Sequence, residues 1–411
     1  MLNFYLAVVV FFSFTWLFEY LYGLKTGKNT YNGNEFLSNI SMGLTSTLVS
    51  VCITLISVPL YIWIYENASL SFLKNAVVAQ IIVAVIAYDF LYYWNHRWHH
   101  TISFLWLGHS VHHSGQTFNY STSLRLGVIA SATSWVVFMP LAMLGVSVEV
   151  YFGIYAVQLF YQHLIHTRHI PKLGILEKFF YTPSHHRVHH ASNKEYIDKN
   201  HGCFTIIFDK LFNTYAEERD DIKTVYGTTH VVTSHVPSNV NFFELNRLIQ
   251  YLGRKARPIK QWLSALFGGP DYDEQDNTAH LPRPALADYS HNVTKYVTAL
   301  FLSALFLALY IAINFLNKAQ TLDFLSLMSF VILVIGIIDI GALHLNQSPA
   351  TYRSLIYTMI LSSLAFFLWQ RQQLNITIFA FVLVFLAVHT LILFYKKRPS
   401  THSFEGINYD K

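Results

Sequence analysis

The stretch IIVAVIAYDFLYYWNHRWHH, residues 81–100, runs from a mostly apolar segment straight into three histidines, His96, His99 and His100. The apolar part belongs to a helix predicted over 76–95, about the 20 residues that cross a bilayer. The surrounding composition agrees: of 411 residues, 53% are hydrophobic and only 12% are charged, with mean hydropathy +0.34. An ordinary soluble domain carries about 25% charged residues. The net charge of +5 is modest and is accounted for by basic residues flanking the apolar runs, so no nucleic-acid partner is expected. Cys52 and Cys203 are the two cysteines, too few for a disulfide framework and too far apart for CxxC chemistry.

Working outward, further spans are expected at 2–22, 37–64, 124–145 and 148–166, then at 294–315, 324–344, 354–369 and 374–395. The run 2–22 lacks a basic leader and a small-x-small cleavage site, so it reads as a retained helix rather than a signal peptide. Lys25 and Lys28 follow the first span, and Lys396, Lys397 and Arg398 follow the last. Nine crossings put both basic groups in the cytoplasm, together with 96–123 and 167–293. The fold class is therefore all-α: a polytopic helical membrane protein of about 8–9 spans with a cytoplasmic helical cap. Its divisions are N-terminal membrane helices (1–75), a catalytic region (76–267), a Pro/Gly-marked linker (268–293) and C-terminal membrane helices (294–411). The multi-pass setting is a bacterial inner membrane or an endoplasmic reticulum.

Histidine is the outlier. Of 21 in the chain, 13 lie between residues 96 and 190, in HRWHH (96–100), HSVHH (109–113), HLIHTRH (163–169) and HHRVHH (185–190). Side chains at i, i+3 and i+4 share a helix face. His96 with His100, His109 with His112 and His113, and His186 with His189 and His190 have that spacing, so each set can converge on one point. A lone histidine is usually a packed core residue, but two HxxHH motifs and an HxxxH at span ends point to metal ligation. Imidazole is the commonest protein ligand for metals. At least eight well-spaced histidines without a thiolate candidate suit two metals better than one structural zinc. Imidazole accepts Zn, Cu, Fe or Ni, so ligand type alone leaves the metal open. No Glu has a His three residues on, so the Glu-x-x-His pairs of soluble di-iron bundles are missing. Carboxylates are then expected outside the ligand set, and Asp89, Asp198 and Asp209 are the nearest candidates. A bis-His haem cytochrome would want paired histidines inside facing spans. A metal transporter would want ionisable residues along a midplane path, where Glu19, Asp89, Asp323 and Asp339 offer little.

The order HxxxH, HxxHH, single His, HxxHH resembles the fatty acid hydroxylase/sterol desaturase superfamily. The stretches YYWNHRWHH (92–100), GHSVHHSGQTFNYSTSLR (108–125), IHT (165–167), TPSHHRVHHASN (182–193), YIDKN (196–200), FDKLFNTY (208–215) and VYGTTH (225–230) most resemble its alkylglycerol monooxygenase branch. The resemblance covers about 76–245 and implies a membrane-embedded di-iron monooxygenase that uses O2 to hydroxylate a lipid. Desaturation by the same kind of site is the alternative outcome. Carried over by motif, the ligands would be His96, His100, His109, His112, His113, His166, His186, His189 and His190. His99, His163, His169 and His185 are then extra, with His185, His99 and His163 expected to support the ligands. Asn119, Arg125, Asp89, Asp198 and Asp209 are expected in the same supporting role. The branch also implies a tetrahydrobiopterin reductant and an ether-lipid substrate. His100 is followed by Thr101 where that branch tends to carry an acidic residue, and this departure bears on substrate and reductant, leaving the histidines intact. No cytochrome-like or iron–sulfur module is appended, so a separate electron donor is expected. His201, where relatives tend to have Tyr, and His230 read as structural.

Segment 241–267 repeats Phe242, Leu245, Leu248, Ile249 and Leu252 at helical spacing among Arg247, Arg254, Lys255, Arg257 and Lys260. It reads as one or two amphipathic helices, either lying on headgroups as a lid or packing onto the catalytic region.

Overall fold

The computed structural model describes residues 2–270, apart from 71, 72, 75, 236 and 254–257. The four spans expected beyond 290, most of the linker, Arg254, Lys255, Arg257, Asp323, Asp339, His344 and His389 lie outside the described residues. Among the described residues there are helices, turns and two isolated bridges, Phe180 with Thr205 and Ala191 with Tyr226, and no strand.

Four long helices form the frame: α1 (Leu2–Thr26), α2 (Gly33–Ala68), α3 (Val77–Thr101) and, further along, α7 (Val148–Ile165). Their starts follow local chemistry. The Asn32 side chain accepts from the backbone N–H groups of Asn34 and Glu35 at the start of α2, and Ser147 accepts from Val150 at the start of α7. Each satisfies an amide that has no partner within its helix. By length and composition α3 is able to cross a membrane, and the bent pair Gly33–Thr47 and Cys52–Ala68 passes the same test taken together. Tyr61 of α2, Ala84 and Tyr88 of α3, and Ile154 of α7 meet in one buried cluster, where Tyr61 Oη donates to Val146 O at 3.0 Å.

The span expected at 124–145 is corrected. In its place stand a short α5 (Val128–Thr133), a 3-10 turn (Ser134–Phe138) and α6 (Pro140–Met143). The apolar helical run Val128–Met143 falls short of the roughly 20 residues a span needs. Its composition is lipid-like but its backbone is interrupted. Ser131, Thr133 and Ser134 each donate to the carbonyl four residues back, a bond that bends helices. Pro140 has no N–H to continue the ladder.

Ile102 alone separates α3 from α4 (Ser103–His113), which folds back onto α3. The start of α5 then crosses α4 with backbones touching: a Cβ on Gly127 would lie 2.1 Å from Gly108 O. Both glycines are required by that approach. After α7 come α8 (Pro183–His189), α9 (Ile207–Leu211), α10 (Pro237–Asn241), α11 (Phe243–Gly253) and α12 (Ile259–Phe267). Leu248 and Leu252 of α11 and Ala265 of α12 pack on Leu107 of α4, so the packing reading of this segment holds for α11. Ile259, Trp262, Leu263 and Phe267 of α12 remain exposed.

Candidate metal centre

Three helix ends and one helix cap bring nine histidines together. Those of α3 are His96 and His100, those of α4 His109, His112 and His113. His166 caps α7, and α8 with its cap supplies His186, His189 and His190. They form two groups: His96, His100, His109, His113 and His189 in the first, and His112, His166, His186 and His190 in the second. Within each, one nitrogen per ring lies within 4.8 Å of all the others. The expectation that each HxxHH triplet converges on one point is corrected. Residues four apart are nearly in line on a helix, whereas neighbours differ by about 100°. Thus His109 and His113 share the first group while His112 turns to the second, and His186 and His190 share the second while His189 turns to the first.

The tautomers follow from the backbone. The Nδ1–H groups of His96, His112, His166 and His189 donate to the carbonyls of His201 (3.0 Å), Arg125 (3.1 Å), Gln162 (2.6 Å) and Lys199 (2.9 Å). Tyr181 Oη gives its proton to Asn200 O at 2.6 Å and so accepts from His186 Nδ1 at 3.2 Å. A carbonyl only accepts, so in these neutral rings Nε2 carries a lone pair. Yet His186 Nε2 lies 2.8 Å from His166 Nε2, which lies 3.3 Å from His112 Nε2. No proton sits between such atoms, and their lone pairs repel. The buried Nε2 atoms of His100, His189 and His190 have no hydrogen-bond partner at all. Unsatisfied buried polar atoms cost about 1–3 kcal/mol each. One cation per group removes the conflict, since metal–nitrogen bonds of about 2.0–2.1 Å set neighbouring nitrogens about 3.0–3.4 Å apart. The donor set fits a metal in each group. Burial holds His109, His113, His166, His186, His189 and His190 well below the usual imidazole range, reinforced by neighbouring imidazoles. Burial likewise pushes His112 down to about 4. The rings are neutral at pH 7, the form that ligates.

The supports differ between the groups. Loop 198–201 serves the first: Asp198 Oδ1 lies 3.4 Å from His100 Nδ1, and the carbonyls of Lys199 and His201 take His189 and His96. Asp198 and Asn200 adopt positive φ (56° and 57°), a conformation Asp and Asn tolerate better than most residues. Asp209 locks the loop by accepting from His201 N (2.7 Å), Gly202 N (2.9 Å) and Thr214 Oγ1 (2.7 Å). Asn200 adds bonds to His185 O and Ala216 O. The second group is braced from α1 and α2 instead. Glu19 accepts from Tyr31 Oη (2.6 Å), Tyr120 N (2.8 Å) and Thr167 Oγ1 (2.5 Å), fixing the residue beside His166. Asn39 accepts from Arg125 Nη1 at 3.0 Å, and Arg125 offers its carbonyl to His112. Glu35 accepts from Thr117 N, beside Phe118, whose ring packs 5.1 Å from His190 and 5.6 Å from His166. Trp106 lies 5.3 Å from His100, and of the nine histidines His109 alone is partly exposed.

Of the other expected supports, His99 packs 5.8 Å from His109, while Asp89, Asn119, His163 and His185 stand elsewhere. Asp89 accepts from Phe204 N and Thr205, away from any imidazole. Asn119 caps a 3-10 turn, Tyr120–Leu124, and donates to Thr30 O. His163 hydrogen-bonds Thr15 and Ser123 and stacks on Phe12. His185 completes the capping box of α8 with Thr182. His99 donates to Asn95 O. His201 packs 5.0 Å from His100. The residues that sequence reasoning missed as supports are Glu35, Asn39, Thr167 and Tyr181. Glu19 carried a signal, being ionisable within an apolar run.

The class defined by this arrangement is a histidine-rich centre at the ends of apolar helices. Residues 81–214 match the family described as fatty acid hydroxylase. The chain is 41% identical over 212 residues to alkylglycerol monooxygenase of Homo sapiens, covering 52% of this chain and 47% of that protein. It is 36% identical over 249 residues to the Danio rerio alkylglycerol monooxygenase (61% and 55%), and 28% identical over 179 residues to an ornithine lipid hydroxylase of Rhizobium tropici (43% and 52%). The chain thus spans about half the length of the curated relatives it matches. No solved structure matches. Residues 81–214 thus form a fatty acid hydroxylase-type region, and the chain is similar across it to alkylglycerol monooxygenases. All nine histidines lie within residues 81–214.

Proposed function

We propose that the protein is an integral-membrane lipid monooxygenase in which each imidazole group holds one iron ion. The observation that carries the reading is the set of Nε2 lone pairs 2.8–3.3 Å apart, with Nδ1 atoms committed to acceptors. Iron bound there would supply activation of O2 and transfer of one oxygen atom to a C–H bond, with two electrons and two protons reducing the other atom to water. The chain's own contribution is positional. Carbonyls lock each ring about its Nδ1, burial keeps the imidazoles neutral, and Trp106 and the partly exposed His109 mark the side open to substrate. A separate electron donor is part of this proposal, with tetrahydrobiopterin the one implied by the family resemblance. A bis-His haem reading fares worse, because rings whose nitrogens lie 2.8–3.3 Å apart leave no room for a macrocycle between them.

The substrate we propose is a membrane lipid, with an ether lipid oxidised beside its ether oxygen as the particular case. The exposed apolar face of α12 suits a headgroup-level position beside α4. The proposal puts the histidines on the cytoplasmic side, from the basic residues flanking the apolar runs. Replacing the expected 124–145 span by a broken run leaves this unchanged, since 128–143 begins beside the histidines and α7 ends beside them, the far ends of both lying against Leu70, Tyr61 and Gln80. They cross together or not at all, so the parity of crossings is the same.

The test is iron analysis of the full chain purified from iron-replete cells, with mass spectrometry of lipids incubated under isotopically labelled O2. The reading expects iron and one labelled oxygen atom in a lipid product. Iron-free protein with no labelled lipid, despite a supplied reductant, contradicts it.

A further inference from the structure

A second apolar surface, distinct from α12, stands out on the far side of α8. Residues 173–180 expose Ile175 (70%) and Phe179 (56%), and α9 exposes Leu211 (64%) beside Ile207. The two segments form one unit: Phe180 bridges Thr205, Ile206 N donates to Phe179 O, and Lys210 Nζ donates to Lys178 O at 2.7 Å. Contiguous exposed apolar surface of this kind marks an interaction site.

Two observations say what covers it. The first is continuity with the lipid-type face of α3, where Val78, Ile82 and Ile86 are exposed. Phe90 of α3 packs 5.4 Å from Phe208, and Trp94 packs 5.1 Å from Phe212, so the patch extends that face at the histidine-bearing end of the helix. Aromatic residues collect at that depth of a bilayer, and the Arg97 guanidinium lies 5.4 Å over the Trp94 ring. The second is charge. Lys178 and Lys210 rim the patch and are exposed, while Glu177 is turned inward to accept from Thr182 and Ser184. Lys172 is instead paired with Glu217 at 3.2 Å.

We propose that residues 173–180 and 207–211 form a membrane-embedded wedge, apolar side chains among the upper acyl chains and Lys178 and Lys210 among anionic phosphates. Long lysine side chains suit this, burying their stems while the ammonium stays at the headgroups. The wedge runs into α8 at Thr182, so its depth sets the height of His186, His189 and His190 above the lipid. The inference rests on α3 crossing the bilayer and is independent of metal and reaction.

The test uses the full chain carrying Cys52→Ala, Cys203→Ala and either Ile175→Cys or Leu211→Cys, labelled with an environment-sensitive fluorophore in phosphatidylglycerol-containing vesicles. The expected result at both positions is blue-shifted emission quenched by nitroxide lipids labelled near the headgroup. Quenching by aqueous iodide instead would overturn the proposal. Blue-shifted emission that neither agent quenches would overturn it too, because protein would then cover the patch. Adding Lys178→Glu with Lys210→Glu should reduce nitroxide quenching several-fold. Equal quenching with and without these changes, or in purely zwitterionic vesicles, would remove the anionic headgroups from the proposal.

Discussion

The two imidazole groups are made of the same side chain, yet they are held and covered differently. The first is set by one loop, Asp198–His201, whose conformation depends on Asn200 and Asp209, and it has an open side at His109 and Trp106. The second is fully buried, covered by Phe118, and steadied by Glu19, Glu35 and Asn39 from the two N-terminal helices. The difference teaches that helices outside the matched region 81–214 are part of one half of the centre. Under the proposed function it also separates the roles: the first group, with His109 partly exposed, would face substrate, and the buried second group would be insulated from it.

The largest expected effect comes from the ligands. His186→Ala and His189→Ala should each abolish lipid oxidation and lower metal content from two per chain toward one, read by metal analysis. Full activity in either variant would take α8 out of the centre. Next is the N-terminal brace. Glu19→Ala removes the acceptor for three hydrogen bonds, and bonds to a charged group are worth about 1.5–3 kcal/mol each. Loss of outer supports typically costs 10–100-fold in metal affinity. Glu19→Ala should therefore weaken one of two binding steps in a metal titration by about that factor and spare the other, with Glu19→Gln recovering part of the loss. Equal weakening of both steps would erase the distinction between the groups. The mirror experiment is Asn200→Ala, which removes the bonds to His185 O and Ala216 O and places a less tolerant residue at positive φ. It should weaken chiefly the other step, by about 10-fold, with a smaller effect on the second group, because Asn200 O also holds Tyr181 against His186. The smallest effect is expected at Trp106→Ala: KM for the lipid should rise several-fold while metal content stays at two. An unchanged KM would move the substrate side away from Trp106.

The sequence made the nine histidines legible because helical spacing is a local property. Their partition was not, because it depends on how α4 and α8 are rotated about their axes, and that is fixed by distant contacts such as Gly108 against Gly127. The supports were misread for a related reason. Carboxylates were expected to hold the imidazoles, but backbone carbonyls of Gln162, Lys199 and His201 do most of that work, and a carbonyl leaves no mark in a sequence. Asp198 does reach His100 directly, at 3.4 Å, and Asp209 contributes one step removed, by fixing His201. The apolar stretch 124–145 looked like a span because composition dominates that reading, while Ser131, Thr133, Ser134 and Pro140 break its backbone. Glu19 is an ionisable residue in an apolar helix, but its partner Thr167 is 148 residues away.

The most direct measurement compares two neighbours. His112 and His113 are adjacent in sequence but belong to different groups. Iron titration of apo full-length protein should give two sites in the wild type, one in His112→Ala, one in His113→Ala and none in the double variant. The two single variants should retain sites of different affinity. A single site in the wild type, or two single variants that bind identically, would contradict a centre divided between two imidazole groups.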